Sequence, residues 1–316
     1  MKLGVIGTGA MGKNHVRIYS ELKEVKEVYA FDANKENSKR FTEYGAIVCD
    51  TMAELLDKVD AVSICVPTKY HLEVAKIAIE YGVHCLIEKP ITLTVKEGVE
   101  LVKLLADSGL IAAVGHIERF NPIVGEIKKI IHNPLYVEIR RQNPASSRIT
   151  DSTIVEDLMI HDIDIVFNVL FRSLQVTEPD SEDYVLYSAG NKDLCSALIK
   201  LDSSIVSLSA SRKASKKIRS VYIEEEDFTI EGDFMNQEIY VYRKPEKYSI
   251  DDERYTQENI IEKVLVNNVE PLKEELKSFI SCVDKGEKFS ITPLQALNNL
   301  RVCEAIRKSN EINRKI

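Results

Sequence analysis

The chain is short of several things that would direct its reading elsewhere. None of its six cysteines, at 49, 65, 85, 195, 282 and 303, forms a C-x-x-C pair, so neither a zinc knuckle nor a dithiol redox motif is indicated. Cys65 and Cys85 sit in apolar runs and read as small buried hydrophobes. There is no excess of positive charge: 42 Lys and Arg face 50 Asp and Glu, a net −8. That argues against nucleic acid or an anionic membrane as the main partner, while leaving room for a local basic pocket that meets a phosphorylated ligand. No apolar run is long enough to span a bilayer, and the opening "MKLGVIGTG" breaks at glycine too early for a signal peptide. A cytoplasmic home is the expectation. Low-complexity segments and long repeats are missing too.

What is there is ordinary globular material. The chain has 316 residues, 44% apolar and 29% charged, enough for about two domains with real cores. Strand "KLGVIG" leads into the helical spacing of "GAMGKNHVRIYSELK", and "EVYAF" follows as a second strand. A helix, a glycine and a strand then recur in "FTEYGAIV", "AIEYGVHCLI" and "LADSGLIAAV", with Gly45, Gly82 and Gly109 at the left-handed helix end. Strands such as "AVSICV" show no polar alternation, as expected when both sheet faces are covered. The pattern predicts a parallel α/β domain over residues 1–120. Residues 121–316 form a second domain of different texture. "PLYVEIRRQN" is a strand, a helix of about twenty residues carries "EDLMIHDIDI", and alternating strands from "DYVLYSAG" to "QEIYVYRK" predict a mostly antiparallel sheet. Its outer face is expected to meet solvent or a partner. Asp202-Ser203-Ser204 is a hairpin turn, and amphipathic helices close the chain at roughly 271–284 and 293–309, the latter started by Thr292-Pro293.

Gly7, Gly9 and Gly12 spell G-x-G-x-x-G after a strand and before a helix, and Asp32 lies 20 residues past Gly12 at the end of the next strand. Together these make the dinucleotide fingerprint. The first glycine permits the turn, the second lets backbone approach a pyrophosphate, and the third lets helix and strand pack. Ala10 and Met11 lie at the helix N-terminus that would meet the phosphates. Asp32 would accept hydrogen bonds from ribose hydroxyls and repel the extra phosphate of NADP, which favours NAD. Lys35 and Arg40 keep NADP open.

"VHCLIEKPITL" sets Glu88, Lys89 and Pro90 at the C-terminal end of a buried strand, the edge where such sheets bind ligands. Lys89 is a candidate hydrogen-bond donor near a nicotinamide; a surface lysine with a buried stem is the plainer alternative. In "EDLMIHDIDI", helical turns of about 100° bring Asp157, His161 and Asp164 to one face, with Glu156 and Asp162 turned elsewhere, toward solvent. Oxidising a secondary alcohol needs a base for the hydroxyl proton. Histidine titrates near working pH, and a carboxylate one turn away can fix its tautomer. A core histidine beside a helix-start aspartate would leave the same trace.

The fingerprint at 7–12, "CVPTKYH" at 65–71, "EKP" at 88–90 and "DLMIHDID" at 157–164 occur in an order that resembles the Gfo/Idh/MocA-type oxidoreductases, along nearly the whole chain. The resemblance implies an α/β chain with an N-terminal Rossmann dinucleotide-binding domain and a C-terminal α+β substrate domain. That domain's large, mostly antiparallel sheet is implied to build a homodimer or homotetramer. It implies catalysis by Lys89, Asp157 and His161, with Lys89 and His161 alternative proton acceptors. It also implies cofactor contacts at Pro67, His71, Glu88 and Lys89, no metal, and a cis bond before Pro90. Where many members carry a run of glycines ahead of the Asp-His helix, this chain has "TDSTIVE". "GHIERFNP", "RITDSTIVEDLMIHDIDI" and "SRKASKKIRSVYIEEEDFTIEGDF" resemble members that oxidise the 3-hydroxyl of UDP-N-acetylglucosamine to a ketone. This implies substrate contacts at Arg119, Asn121 and Arg148, with Arg141 and Lys217 as further basic candidates for a diphosphate. The alternatives are a non-catalytic NAD-binding regulator of the same fold, or an enzyme for an inositol, a free sugar or a tetrapyrrole.

Overall fold

The computed structural model describes residues 1–144, 152–171, 184–244, 248–251, 254–257 and 259–313. They divide into two compact units, Met1–Ile117 with Glu270–Arg301, and Glu118–Val269 with Val302–Ile316.

The first unit runs β1 (Lys2–Ile6), α1 (Ala10–Glu21), β2 (Glu27–Phe31), α2 (Lys35–Lys39), β3 (Ile47–Val48), α3 (Met52–Leu56), β4 (Ala61–Ile64), α4 (His71–Glu80), β5 (His84–Glu88), α5 (Val95–Ser108) and β6 (Ala112–Gly115). All six strands are parallel in the order β3-β2-β1-β4-β5-β6. This is the doubly wound arrangement, and its order reverses between β1 and β4, where the carboxyl ends of the strands open a crevice. Every residue of β4 is buried, as its unbroken apolar run requires. Gly45, Gly82 and Gly109 stand at φ 78°, 70° and 69°, the left-handed helix ends read from the repeated pattern.

The second unit begins with α6 (Pro122–Ile130) and β7 (Tyr136–Gln142). A π-helical turn, Val155–Met159, then runs into α7 (Ile160–Ile165) and a second π-helical stretch, Val166–Leu170. Next come β8 (Tyr184–Gly190), β9 (Leu194–Leu201), β10 (Ser204–Ser211), β11 (Ile218–Glu224), β12 (Phe228–Asp233), β13 (Glu238–Arg243), β14 (Tyr248–Asp251), β15 (Arg254–Gln257) and β16 (Ile260–Val264). Eight strands make one sheet, β16-β13-β12-β11-β7-β10-β9-β8, antiparallel except for the β7–β10 pair; β14 and β15 form a ribbon of their own. β9 alternates strictly, with Cys195, Ala197, Ile199 and Leu201 inward. It turns through Asp202 at φ 52° into β10. Val185, Tyr187, Leu194, Leu198 and Ile205 are exposed on the other face.

Two expectations change here. The stretch around "EDLMIHDIDI" is helical, but only Ile160–Ile165 is α-helix. It also has no solvent side: Glu156 is 9% exposed and Asp162 0%. A helix buried on every side sits inside a core, so its carboxylates need buried partners rather than water.

The chain closes with α8 (Pro271–Lys285) and α9 (Pro293–Asn313), the latter divided between the units. Thr292 and Gln295 cap α9 reciprocally, each side chain accepting from the other's backbone N–H at 3.2 Å. The sequence pattern predicts a simple division at residue 120, whereas in the structure 270–301 groups with the first unit. The reason is packing. α8 buries Leu272, Leu276, Phe279 and Ile280, Glu270 takes a hydrogen bond from Arg17 of α1, and Leu297 of α9 occupies the space a side chain at Gly98 of α5 would need.

Candidate functional site

In the first unit the glycine loop is built from close backbone approaches. Gly7 has φ +88°, and a Cβ there would lie 2.6 Å from the Val66 nitrogen. A Cβ on Gly12 would lie 1.9 Å from the Gly7 carbonyl oxygen, so no side chain fits without moving backbone. Gly9, by contrast, faces open space, Ala10 is exposed and Met11 half-buried. α1 starts with no side-chain cap and no acidic residue in its first turn. Its free N–H groups and positive dipole end are therefore available to an anion. Asp32 fastens this loop. Its Oδ2 accepts from Thr8 N at 2.7 Å and Thr8 Oγ1 at 2.9 Å, and its Oδ1 accepts from Asn34 N at 2.8 Å. Asn37 Nδ2 donates to Oδ1 as well, at 3.4 Å, so the roughly four lone-pair positions of the carboxylate are engaged and a ribose hydroxyl would take the place of that long amide contact. Lys35 is paired with Asp50 at 2.7 Å, an exposed ion pair.

Behind the loop runs a buried polar chain. The Tyr19 hydroxyl lies 2.7 Å from Ser63 Oγ, Ser63 Oγ lies 3.0 Å from His15 Nδ1, and His15 Nε2 lies 2.9 Å from Glu88 Oε1. Burial opposes charge on Glu88, but the hydrogen bond and charge of His15, with Lys89 and His71 adding, hold its carboxyl below the usual range. Glu88 thus faces inward, and its Oε2 accepts from the Lys89 backbone N–H at 3.2 Å. Cys65 Sγ completes a set of three donor atoms with His15 and Glu88, all within 4.8 Å of one another. Burial pushes that thiol well above its ordinary pKa, and both His15 nitrogens are already engaged. The three read as polar core.

Lys89 is half-buried and precedes a cis bond to Pro90. Pro67 is exposed. His71 is buried, with Nδ1 2.9 Å from the Pro90 carbonyl and Nε2 3.0 Å from that of Val66. It ties the turn after β4 to the turn after β5, and burial lowers its pKa against the pull of those carbonyls.

In the second unit every carboxylate of "EDLMIHDIDI" meets an arginine. Glu156 takes Arg307 Nε at 2.7 Å. Asp157 takes Arg212 Nε at 3.0 Å, while Arg212 also donates to the carbonyls of Ser152 and Thr153. Asp162 Oδ1 accepts from Arg141 Nε and Nη2 at 2.9 and 2.7 Å. Asp164 takes a fork from Arg119, at 2.5 and 2.6 Å, and Asn168 at 3.1 Å. His161, 9% exposed, is the remaining ionisable residue of the stretch and stands where the π-helical turn passes into α7. Single π turns inside helices are frequent at functional sites.

Residues 1–116 match the model of the GFO_IDH_MocA family, an oxidoreductase family with an NAD-binding Rossmann fold. The chain is 33% identical over 252 residues to UDP-N-acetylglucosamine 3-dehydrogenase of Acidithiobacillus ferrooxidans, a stretch covering 77% of each. The chain belongs to the Gfo/Idh/MocA family. The solved structure of that same A. ferrooxidans enzyme matches with TM-score 0.85 and 27% identity, over 99% of this chain and 98% of that one. Inositol 2-dehydrogenase/D-chiro-inositol 3-dehydrogenase of Halalkalibacterium halodurans is 28% identical over 202 residues, 59% of this chain and 58% of that protein. As a Gfo/Idh/MocA member the chain is an oxidoreductase, and its first unit is the NAD-binding Rossmann fold of the family. The loop at Gly7, Gly9 and Gly12, the uncapped α1 and Asp32 fit that cofactor.

Two of the three substrate candidates have partners within the fold. Arg119 gives its fork to Asp164, so it is committed to the helix. Asn121 caps α6, accepting from Ile123 N at 3.3 Å, and its Nδ2 donates to the Phe234 carbonyl at 2.9 Å. Both ends of that amide serve the fold. Arg148 lies outside the described residues. Arg141, the further basic candidate, is 1% exposed and forked on Asp162. Thr8, His15, Ser63 and Arg212 were not singled out from sequence. A hydroxyl between the first two glycines was the available signal for Thr8, and a histidine on the apolar stripe of α1 was the signal for His15.

Proposed function

We propose that this enzyme oxidises a secondary hydroxyl of a nucleotide sugar, with UDP-N-acetylglucosamine as substrate and its 3-hydroxyl becoming a ketone. The observation that carries the reading is the level of likeness: 33% identity across 77% of both chains to an enzyme of that name, against 28% across 59% of this chain for one inositol dehydrogenase and 23% along the whole chain for another. The Gly7–Gly12 loop and the α1 N-terminus would hold the pyrophosphate of NAD and Asp32 its ribose, and the bound coenzyme would supply the hydride acceptor for the carbinol carbon. Lys89 donates a hydrogen bond to the reacting oxygen. His161 takes the hydroxyl proton, with Asp157, itself held by Arg212, fixing the imidazole.

The test is reduced-nicotinamide absorbance with NAD and NADP against a panel of UDP-sugars, free sugars and inositols, with the product ketone located by mass spectrometry. Turnover of UDP-N-acetylglucosamine with NAD is expected. Turnover confined to inositols would transfer the reading to a free polyol, which the inositol dehydrogenase match supports as a second reading. Lys89→Ala and His161→Ala are each expected to lower turnover by about 10²- to 10⁴-fold while NAD still binds. Near-normal turnover in both would end their assignment.

The exposed apolar residues Val185, Tyr187, Leu194, Leu198 and Ile205 support a homodimer or homotetramer built through the outer sheet face. Sedimentation is expected to show that assembly and its weakening in Leu198→Asp; a monomeric wild type would remove the idea. The six free thiols are in keeping with a cytoplasmic home, which fractionation of expressing cells tests.

A further inference from the structure

β7 and β11 are antiparallel neighbours, and their inward pairs are Val137 with Ile223, Ile139 with Val221, and Arg141 with Arg219. An apolar face therefore ends in two guanidinium groups directly opposite each other. Like charges so placed repel and destabilise a sheet. They share one acceptor: Glu118 Oε1 takes Arg141 Nη1 at 2.8 Å and Arg219 Nη1 at 3.1 Å. Arg141 has a second carboxylate in Asp162, but Arg219 does not, and its buried Nε has no hydrogen-bond partner among the described residues. Lys217, exposed, lies two residues earlier, just ahead of β11, and Arg219, Glu118 and Arg141 all bear on its charge. Among the described residues, three cations (Arg141, Arg219, Lys217) thus act on one another and on two carboxylates (Glu118, Asp162), one positive charge more than these carboxylates balance. The local field registers the surplus: burial and then Arg141 lower the pKa of Arg219, and Arg219 and then burial lower that of Lys217.

We infer that Arg219 and Lys217 form an anion subsite that takes the phosphate oxygens of a nucleoside-diphosphate substrate. This rests on the nucleotide-sugar reading above and says where in the second unit the charged half of that substrate binds. A guanidinium with Nε and a terminal nitrogen to offer matches two phosphate oxygens, and the lysine adds a mobile ammonium. Arg141 is the fixed base of the device. Asp162, which anchors it, directly follows His161 in the chain, so the subsite lies beside the helix that carries the proposed proton acceptor.

The test is calorimetric titration of the NAD-loaded protein with UDP and with inorganic pyrophosphate, and kinetics with UDP-N-acetylglucosamine, for wild type, Arg219→Gln, Arg219→Lys and Arg219→Gln/Lys217→Gln. The double variant is expected to weaken UDP and pyrophosphate binding and raise KM by about 10- to 100-fold, with kcat changed far less and NAD affinity retained. Arg219→Lys should recover part of the loss. Thermal stability of Arg219→Gln should equal or exceed wild type, because the repulsion with Arg141 is gone. UDP and pyrophosphate binding unchanged in the double variant would overturn the subsite. So would a marked fall in melting temperature for Arg219→Gln with UDP affinity intact, which marks a structural arginine. Wild-type turnover of uncharged polyols alone would overturn the nucleotide-sugar reading instead, and the pyrophosphate titration would then decide the anion site by itself.

Discussion

The two units handle charge in opposite ways. The first offers an anion its backbone: a glycine loop, an uncapped helix start and one aspartate that steadies the turn. Its buried polar chain, Tyr19–Ser63–His15–Glu88, uses hydroxyls, one imidazole and one carboxylate. The second unit buries whole arginines and matches them with carboxylates from a helix that has no wet side. Backbone recognition survives many side-chain changes but tolerates no added atom at its glycines. Guanidinium recognition is the reverse, since each ion pair depends on two particular side chains.

The largest expected effect comes from breaking the second unit's arrangement. Arg141→Met leaves Asp162, 0% exposed, without its cation, and should lower stability by about 3–5 kcal/mol in denaturant unfolding. Adding Asp162→Leu should restore most of that loss, because an apolar pair replaces a stranded charge. A single variant that unfolds at the wild-type denaturant concentration would mean the arginine seam matters less than its burial indicates. Next is Gly12→Ala, whose new methyl meets the Gly7 carbonyl. NAD affinity measured by fluorescence should fall about 100-fold, near 3 kcal/mol. Undiminished affinity would show that the loop can shift, and the contrast between the units would weaken.

The smallest effect, set by pH, tests what the units share. His71, Glu88 and Glu118 all have pKa values lowered by folding, His71 through burial and the two carboxyls because cations outweigh burial. In each case the unfolded chain binds protons more readily, so stability rises with pH across the window. Stability should be level above about pH 7, slip below about pH 6.5 as His71 protonates in the unfolded chain, and fall again below about pH 4.5. Asp162 works the other way, since burial raises its pKa, and it offsets part of the acid limb. A stability curve that rises toward acid would contradict these directions.

The same contrast explains what could be read in advance. Gly7, Gly12 and Asp32, the left-handed Gly45, Gly82 and Gly109, the Asp202 turn and the Thr292-Pro293 helix start are local devices, each contained in a few residues. The arginine partners are not local. Arg141 meets Asp162 across 21 positions and Arg212 meets Asp157 across 55, and only the sheet order decides which arginine faces which acid. The π-helical turns leave no trace in the sequence, because a few residues with apolar and paired ionisable side chains buried on every side cannot tell 3.6 residues per turn from a wider one. The apolar stripe of α8 announces a helix but not which core it joins, and the short strands β14 to β16 carry no alternation strong enough to mark them.

The grip of Asp32 on Thr8 bears on anyone who would re-engineer the coenzyme. The carboxylate proposed to discriminate against a phosphorylated adenosine is also the strut that keeps the turn in shape. Exchanging it for a small or basic residue to admit NADP would slacken the very loop the new coenzyme must occupy. A successful switch therefore has to be designed at both positions together, with a replacement acceptor for the Thr8 amide supplied before the selectivity is touched.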